Sequence, residues 1–272
     1  MSYPFADRTA EDERLVAQAR VFFDPYTRRL FQEAGLAPGM RVLDLGSGSG
    51  HVARLAAGLT GPDGRVVGIE RDPEAVEMAR RRTDAAGLAD RVEFRAGDAQ
   101  TLEGVEDGFD AVVGRLVIMY LPDPVAAIRR AASRVRPGGL VCLHEADLDY
   151  LWASPEPPLW SRVRRWFTEA MGKAGIEARM GPRLHAALRQ AGLPSPRLLV
   201  EAHADGGPDA PAWGWASLVT GAAGLIERLG VATREEIDPP TLADRLLAEL
   251  RAADGCVIGP PMTGAWATVP GA

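Results

Sequence analysis

An α/β fold built on a doubly wound, mostly parallel sheet is predicted by three observations. Short runs rich in Val, Leu and Ile alternate with amphipathic helical stretches, the pattern of parallel strands joined by crossover helices. The first apolar run, Val42-Leu43-Asp44-Leu45, ends in Gly46-Ser47-Gly48-Ser49-Gly50, a turn built for positive φ and for close approach of a ligand to the backbone. The second run ends in Glu70, at the distance of about 20 residues where folds of this kind hold a ribose through its hydroxyls.

The elements follow in order. Thr9 with Asp12 forms a capping box for a helix bearing Leu15, Val16, Ala19, Phe22 and Phe23. Asp24-Pro25 caps and starts a second helix carrying Tyr26, Leu30 and Phe31, which stops at Gly35. Strand 1 is expected near 40–45, a helix from His51 to about Ala57, and strand 2 near 65–70. Asp72-Pro73-Glu74 combines an N-cap, a proline in the first turn and an acid facing the helix dipole, so a helix runs from there to about Gly87. Strand 3 is Val92 to Ala96, strand 4 Phe109 to Val113, a helix begins at Pro124, and strand 5 follows the Pro137-Gly138-Gly139 turn from Leu140 to Ala146. Trp160, Val163, Phe167 and Met171 recur at helical spacing and read as core. A short helix is expected over Leu184–Gly192, strand 6 over Arg197–Glu201, two further helices near 212–229 and 240–252, and a last strand over Gly264–Thr268.

Composition narrows the function. A chain of 272 residues, 46% hydrophobic, can bury a substantial core, and a net charge of −6 argues against a nucleic-acid partner. Cys142 and Cys256 read as reduced thiols. With neither a leader-like start nor a long apolar run, a cytoplasmic protein off the membrane is expected. The four histidines do not group at metal-ligand spacing, so no metal site is expected.

The glycine turn discriminates between nucleoside cofactors. His51 takes the place that the nicotinamide fingerprint gives to its third glycine, and Asp44 puts a negative charge where a pyrophosphate would sit. An acidic rim suits a cation. Five elements in register, Val42–Gly50, Val67-Gly68-Ile69-Glu70-Arg71-Asp72, Gly97-Asp98-Ala99, Phe109-Asp110-Ala111-Val112-Val113 and Arg136-Pro137-Gly138-Gly139-Leu140, resemble the class I S-adenosylmethionine-dependent methyltransferases. The likeness spans roughly residues 38 to 147 and is nearest the small-molecule branch that includes quinone-biosynthesis and natural-product methyltransferases.

The resemblance implies a seven-stranded Rossmann-like sheet, six strands parallel and the last antiparallel. It also implies an N-terminal helical cap (1–36) and a methyltransferase domain (37–272) with a helical insertion, about 204–255, as lid. It implies S-adenosyl-L-methionine as cofactor and S-adenosyl-L-homocysteine as product. Asp44 and Gly50 would belong to the cofactor site, in which Gly46, Ser47 and Gly48 present backbone to the methionine and ribose. Glu70 would accept from both ribose hydroxyls, Arg71 lie against the adenine, Asp98 accept from its amino group, and Ala99 donate its N–H to a ring nitrogen. Arg115 is a candidate contact for the cofactor backbone or an acidic acceptor group. His144 is a candidate base and Glu145 a candidate base or acceptor-orienting group, and strand alternation lets at most one of them face the pocket. Tyr26, Met119, Tyr120, Tyr150 and Trp152 are candidate pocket walls, with Tyr3, Trp213 and Trp215 as further aromatics. The expected partner is a small, partly apolar metabolite methylated at O, N or C, and the protein a monomer or homodimer. A second reading keeps the cofactor but replaces transfer by a rearrangement or cyclisation. A nicotinamide dehydrogenase is disfavoured by His51 and by Gly97-Asp98-Ala99.

Overall fold

The computed structural model describes residues 23–207 and 210–271. The first expected helix, up to Phe22, and Tyr3 lie outside them. In chain order the elements are α1 (Asp24–Ala34), β1 (Arg41–Leu45), α2 (His51–Thr60), β2 (Arg65–Glu70), α3 (Pro73–Ala85), β3 (Val92–Ala96), β4 (Phe109–Arg115), a 3₁₀ turn (Ile118–Tyr120), α4 (Pro124–Arg134) and β5 (Val135–Ala146). Then come β6 (Ala153–Ser154), α5 (Pro158–Lys173), α6 (Met180–Gln190), β7 (Arg197–Glu201), β8 (Ala204–Gly206), α7 (Ala212–Arg228), α8 (Arg234–Ile237), α9 (Leu242–Ala252), β9 (Cys256–Ile258) and β10 (Met262–Thr268).

The chain divides into two compact units. The first takes Asp24–Ala146, Met180–Val200 and the residues from Met262 onward, and holds the seven-stranded sheet in the order β3-β2-β1-β4-β5-β10-β7. β1 pairs in parallel with β2 and β4, β4 with β5, and β10 runs antiparallel to β5, with Gly264 opposite His144 and Thr263 opposite Glu145. This is the fold the sequence predicts, including the reversed last strand.

Alternation along these buried strands gives each face its own cover. On one face Val42, Ala111, Val113, Leu140, Cys142 and Trp266 join Leu30 and Phe31 of α1 and the apolar stripe Val52, Ala53, Ala56 of α2. α3 starts as its sequence directs, with the Asp72 carboxylate accepting from the Glu74 amide at 3.0 Å and Pro73 behind it. β5 begins at Val135, five residues before the expected Leu140, because the Pro137-Gly138-Gly139 stretch stays beside β4 across a register shift.

The second unit is formed by Asp147–Arg179 and Glu201–Pro261. Helices α5, α7 and α9 pack on one another beside a three-stranded antiparallel sheet, β6-β9-β8. Trp152 and Trp160 are fully buried in it, each with its indole N–H satisfied, Trp152 by the Leu148 carbonyl at 3.0 Å and Trp160 by the Leu246 carbonyl at 2.9 Å. Trp152 stacks on Trp215, ring centroids 3.9 Å apart, and tilts against Phe167. The expectation of Trp152 as a pocket wall is therefore corrected: buried aromatic area with paired polar tips is how a small core is assembled. No helix of the described residues is long and apolar enough to cross a membrane.

Candidate functional site

The site lies in the sheet unit at the carboxyl ends of β1, β2, β4 and β5. β1 delivers Asp44 and Leu45 into a turn in which Gly46, Gly48 and Gly50 all have positive φ, +58°, +49° and +76°. Gly50 then caps α2. The two critical glycines have different reasons. A Cβ at Gly46 would overlap the Val117 side chain, whereas a Cβ at Gly48 would meet nothing within 4 Å, so that glycine borders open space. The turn is stitched to β2, with the Ser47 amide donating to the Ile69 carbonyl at 3.0 Å and the Gly48 amide to Glu70 Oε2 at 3.0 Å. Glu70 Oε1 accepts from the Asp72 amide at 3.1 Å, so both oxygens of this half-buried carboxylate are held in place.

Asp44 is the anomaly of the site. It is buried, neither carboxylate oxygen has a hydrogen bond, and the Ser47 hydroxyl beside it in the turn is unpartnered too. Burial pushes the Asp44 carboxyl up to about 8, opposed by the Arg115 charge, reinforced by Glu70, and little relieved by the Ala53 amide, which stays outside bonding geometry. Natural interiors rarely leave a carboxylate bare. Its position at the glycine turn fits a cationic group supplied from outside the chain.

Other expected cofactor residues flank this turn. Arg71 and Asp98 are exposed just beyond β2 and β3, and Ala99 is buried. Asp98 caps its own loop, accepting from the Gln100 amide at 2.8 Å. Among the expected walls, Met119 is buried, Tyr26 and Tyr120 are half-buried, and Tyr150 is exposed in the second unit.

On the α1 side a polar chain runs under the site. His51 Nε2 lies 2.6 Å from both Asp24 oxygens, Asp24 pairs with Arg115 at 3.2 Å, and Arg115 donates to Thr27 Oγ1 at 3.0 Å. Thr27 Oγ1 in turn lies 3.1 Å from His144 Nδ1. Arginine only donates, so the Thr27 hydroxyl accepts from Arg115, and the same oxygen holds the His144 ring by Nδ1. Burial, aided by the Arg115 charge, lowers His144 to about 3. Burial alone would raise Asp24, yet His51 and Arg115 outweigh it and hold its carboxyl below the ordinary value. Asp24 and Thr27 escaped the sequence reading because their partners lie 27 to 117 residues away. Asp24 was legible only as a helix start.

His144 and Glu145 are both buried, one on each face of the sheet. His144, the expected base, is buried with Nδ1 against Thr27, and its burial favours the neutral imidazole. Glu145 Oε1 accepts from the Val117 and Ile118 amides at 2.9 and 2.8 Å. Burial raises its carboxyl to about 7 against the pull of those amides. Among the described residues no three His, Cys, Asp or Glu side chains group as a metal site.

The methyltransferase-domain family model matches residues 36–190, more than half of the chain. An arsenite methyltransferase of Halobacterium salinarum is 37% identical over 112 residues, 41% of this chain and 28% of that protein. Aklanonic acid methyltransferase DauC of a Streptomyces species is 36% identical over 120 residues, 44% of this chain and 54% of that one. The chain thus matches about half or less of the length of these curated relatives. A solved S-adenosylmethionine-dependent methyltransferase from Aquifex aeolicus shares the fold, with a TM-score of 0.56 at 13% identity over 99% of this chain and 100% of that one. Glycine turn, carboxylate at the end of β2, reversed last strand and family match agree: the chain belongs to the class I S-adenosylmethionine-dependent methyltransferases.

Proposed function

We propose that this protein binds S-adenosyl-L-methionine at the glycine turn and transfers its methyl group to O, N or C of a small, partly apolar metabolite. The observation that carries the reading is the buried Asp44 carboxylate left without a hydrogen bond at that turn. S-adenosylmethionine supplies an ammonium for such an anion and a methyl group already activated by a sulfonium.

The protein's part is binding and placement. Asp44 receives positive charge, and Glu70, with both oxygens fixed by the Gly48 and Asp72 amides, is the acceptor for the ribose hydroxyls. The open side of Gly48 admits the ligand against main-chain atoms. Asp98 and Ala99 offer an acceptor and an amide to adenine, and Arg71 its guanidinium plane. Met119, Tyr120 and Tyr26 are the pocket walls in this reading. In this reading His144, held by Nδ1 against Thr27, and Glu145, bonded to two amides, serve placement instead of taking a proton from the acceptor. Rate then comes from alignment and exclusion of water in an in-line displacement.

An organic acceptor suits the chain better than a thiophilic inorganic one, since of its two cysteines the one on β5, Cys142, is closed off from any ligand. Cys142 is fully buried, with its thiol pushed well above the ordinary range by burial.

Calorimetry with S-adenosylhomocysteine tests binding, and mass spectrometry of a turnover mixture tests transfer. Saturable binding and a product heavier by one methyl group are expected. No binding would end the reading. Binding with acceptor returned rearranged at unchanged mass, and cofactor unconsumed, would replace transfer by the non-methylating alternative.

A further inference from the structure

The loop after β4 is held by a side chain from the next strand. The Leu116 amide makes the last rung to β5, donating to the His144 carbonyl at 2.9 Å, and Leu116 then takes φ +53°, turning the chain out of the sheet. The next two amides, Val117 and Ile118, stand at the start of a single 3₁₀ turn and have no main-chain acceptor of their own there. Glu145 Oε1 supplies it, at 2.9 and 2.8 Å.

What the anchored residue does next reaches the glycine turn. The Val117 side chain fills the space that a Cβ on Gly46 would need, and its other methyl would lie 3.0 Å from a Cβ on Gly114. Val117 is thus wedged between the end of β4 and the first glycine of the turn, and its backbone position is set by Glu145. The carboxylate is fully buried, Oε2 has no partner, and Gly181 at the start of α6 packs so closely on the Glu145 carbonyl that a Cβ there would come within 2.9 Å. Such burial removes Glu145 from contact with an acceptor but suits it to fixing a loop.

We propose that Glu145 is a positioning residue for the nucleoside site, acting through Val117 to fix the shape of the glycine turn at Gly46. The inference rests on the cofactor reading above. It predicts that changes at Glu145 and Val117 move cofactor affinity as one unit, beyond any change in global stability.

The experiment is calorimetry with S-adenosylhomocysteine on four variants, each checked by circular dichroism and thermal melting. Glu145→Gln keeps an acceptor oxygen and should bind within about threefold of wild type. Glu145→Asp, one methylene shorter, and Val117→Ala should each weaken binding by about tenfold, and their combination should cost no more than the worse single change, the mark of coupled residues. Folded Glu145→Asp and Val117→Ala proteins that bind as wild type, or losses that simply multiply, would overturn it. Should Glu145→Asp fail to fold, Val117→Ala decides alone, and unchanged affinity overturns the proposal. A wild type that binds no S-adenosylhomocysteine removes the cofactor reading instead, so the two failures are distinct.

Discussion

At the scale of single residues the site is governed by where two buried groups hold their protons. The folded protein raises Asp44 from 3.8 to about 8, so its neutral form is the one the native state favours. Stability tied to this group is present at low pH and is lost as pH rises between those two values, because the native state keeps a proton that the unfolded chain has given up. Asp44→Asn, which cannot ionise, is therefore expected to melt several degrees higher than wild type at pH 8.5 without ligand, while binding S-adenosylhomocysteine at least about tenfold more weakly. Melting curves and calorimetry on the same samples check both halves. His144 runs the other way: lowered from 6.5 to about 3, it supports the fold fully above its unfolded value and loses that support as pH falls through this window. Once turnover is established, its neutral, Thr27-bonded state predicts that His144→Gln leaves the pH profile of kcat/KM unchanged between pH 6 and 8. Thr27→Val, which leaves Nδ1 bare, should cost about 1–3 kcal/mol of stability by denaturant titration.

At the scale of elements the glycine turn makes the sharpest pair of predictions. Gly48→Ala forces a side chain to φ +49° in otherwise open space, so the fold should survive with a penalty of about 1–2 kcal/mol while the ligand meets the new methyl and binding falls steeply. Gly46→Ala adds a collision with Val117 to the same backbone penalty and should lower Tm much further. Equal melting losses in the two variants would contradict this geometry. The turn was legible in the sequence because its signals are local: apolar strand, alternating glycines, acid at the end of the next strand. The roles of His144 and Glu145 were not. Strand alternation correctly places them on opposite faces but says nothing of what covers each face. α1 brings Thr27 to one of them, and the loop after β4 brings two amides to the other. Arg115 shows the same limit, since its position after β4 is readable and its pairing with Asp24, 91 residues earlier, is not.

At the scale of the molecule, the mostly parallel sheet follows from the sequence pattern and its reversed last strand from the family resemblance. The second unit gathers segments far apart in the chain. It joins Asp147–Arg179 to Glu201–Pro261 by contacts such as the Trp160 indole to the Leu246 carbonyl, 86 residues on, which no local signal announces. Of the six tryptophans, Trp152, Trp160, Trp166, Trp213 and Trp215 are in this unit and Trp266 in the sheet unit. If the units unfold as separate cores, S-adenosylhomocysteine should shift the urea midpoint seen by far-ultraviolet circular dichroism more than that seen by tryptophan fluorescence. Coincident shifts would show one cooperative unit. The central claim, that the glycine turn is shaped around a bare carboxylate awaiting a cation, has its most direct test in the protons exchanged on binding. Titrating wild type with S-adenosylhomocysteine at pH 7 in phosphate and in Tris should show heats that differ in the sense of proton release, as the ligand's ammonium ionises Asp44, and Asp44→Asn should abolish the difference. Buffer-independent heats for the wild type would contradict it.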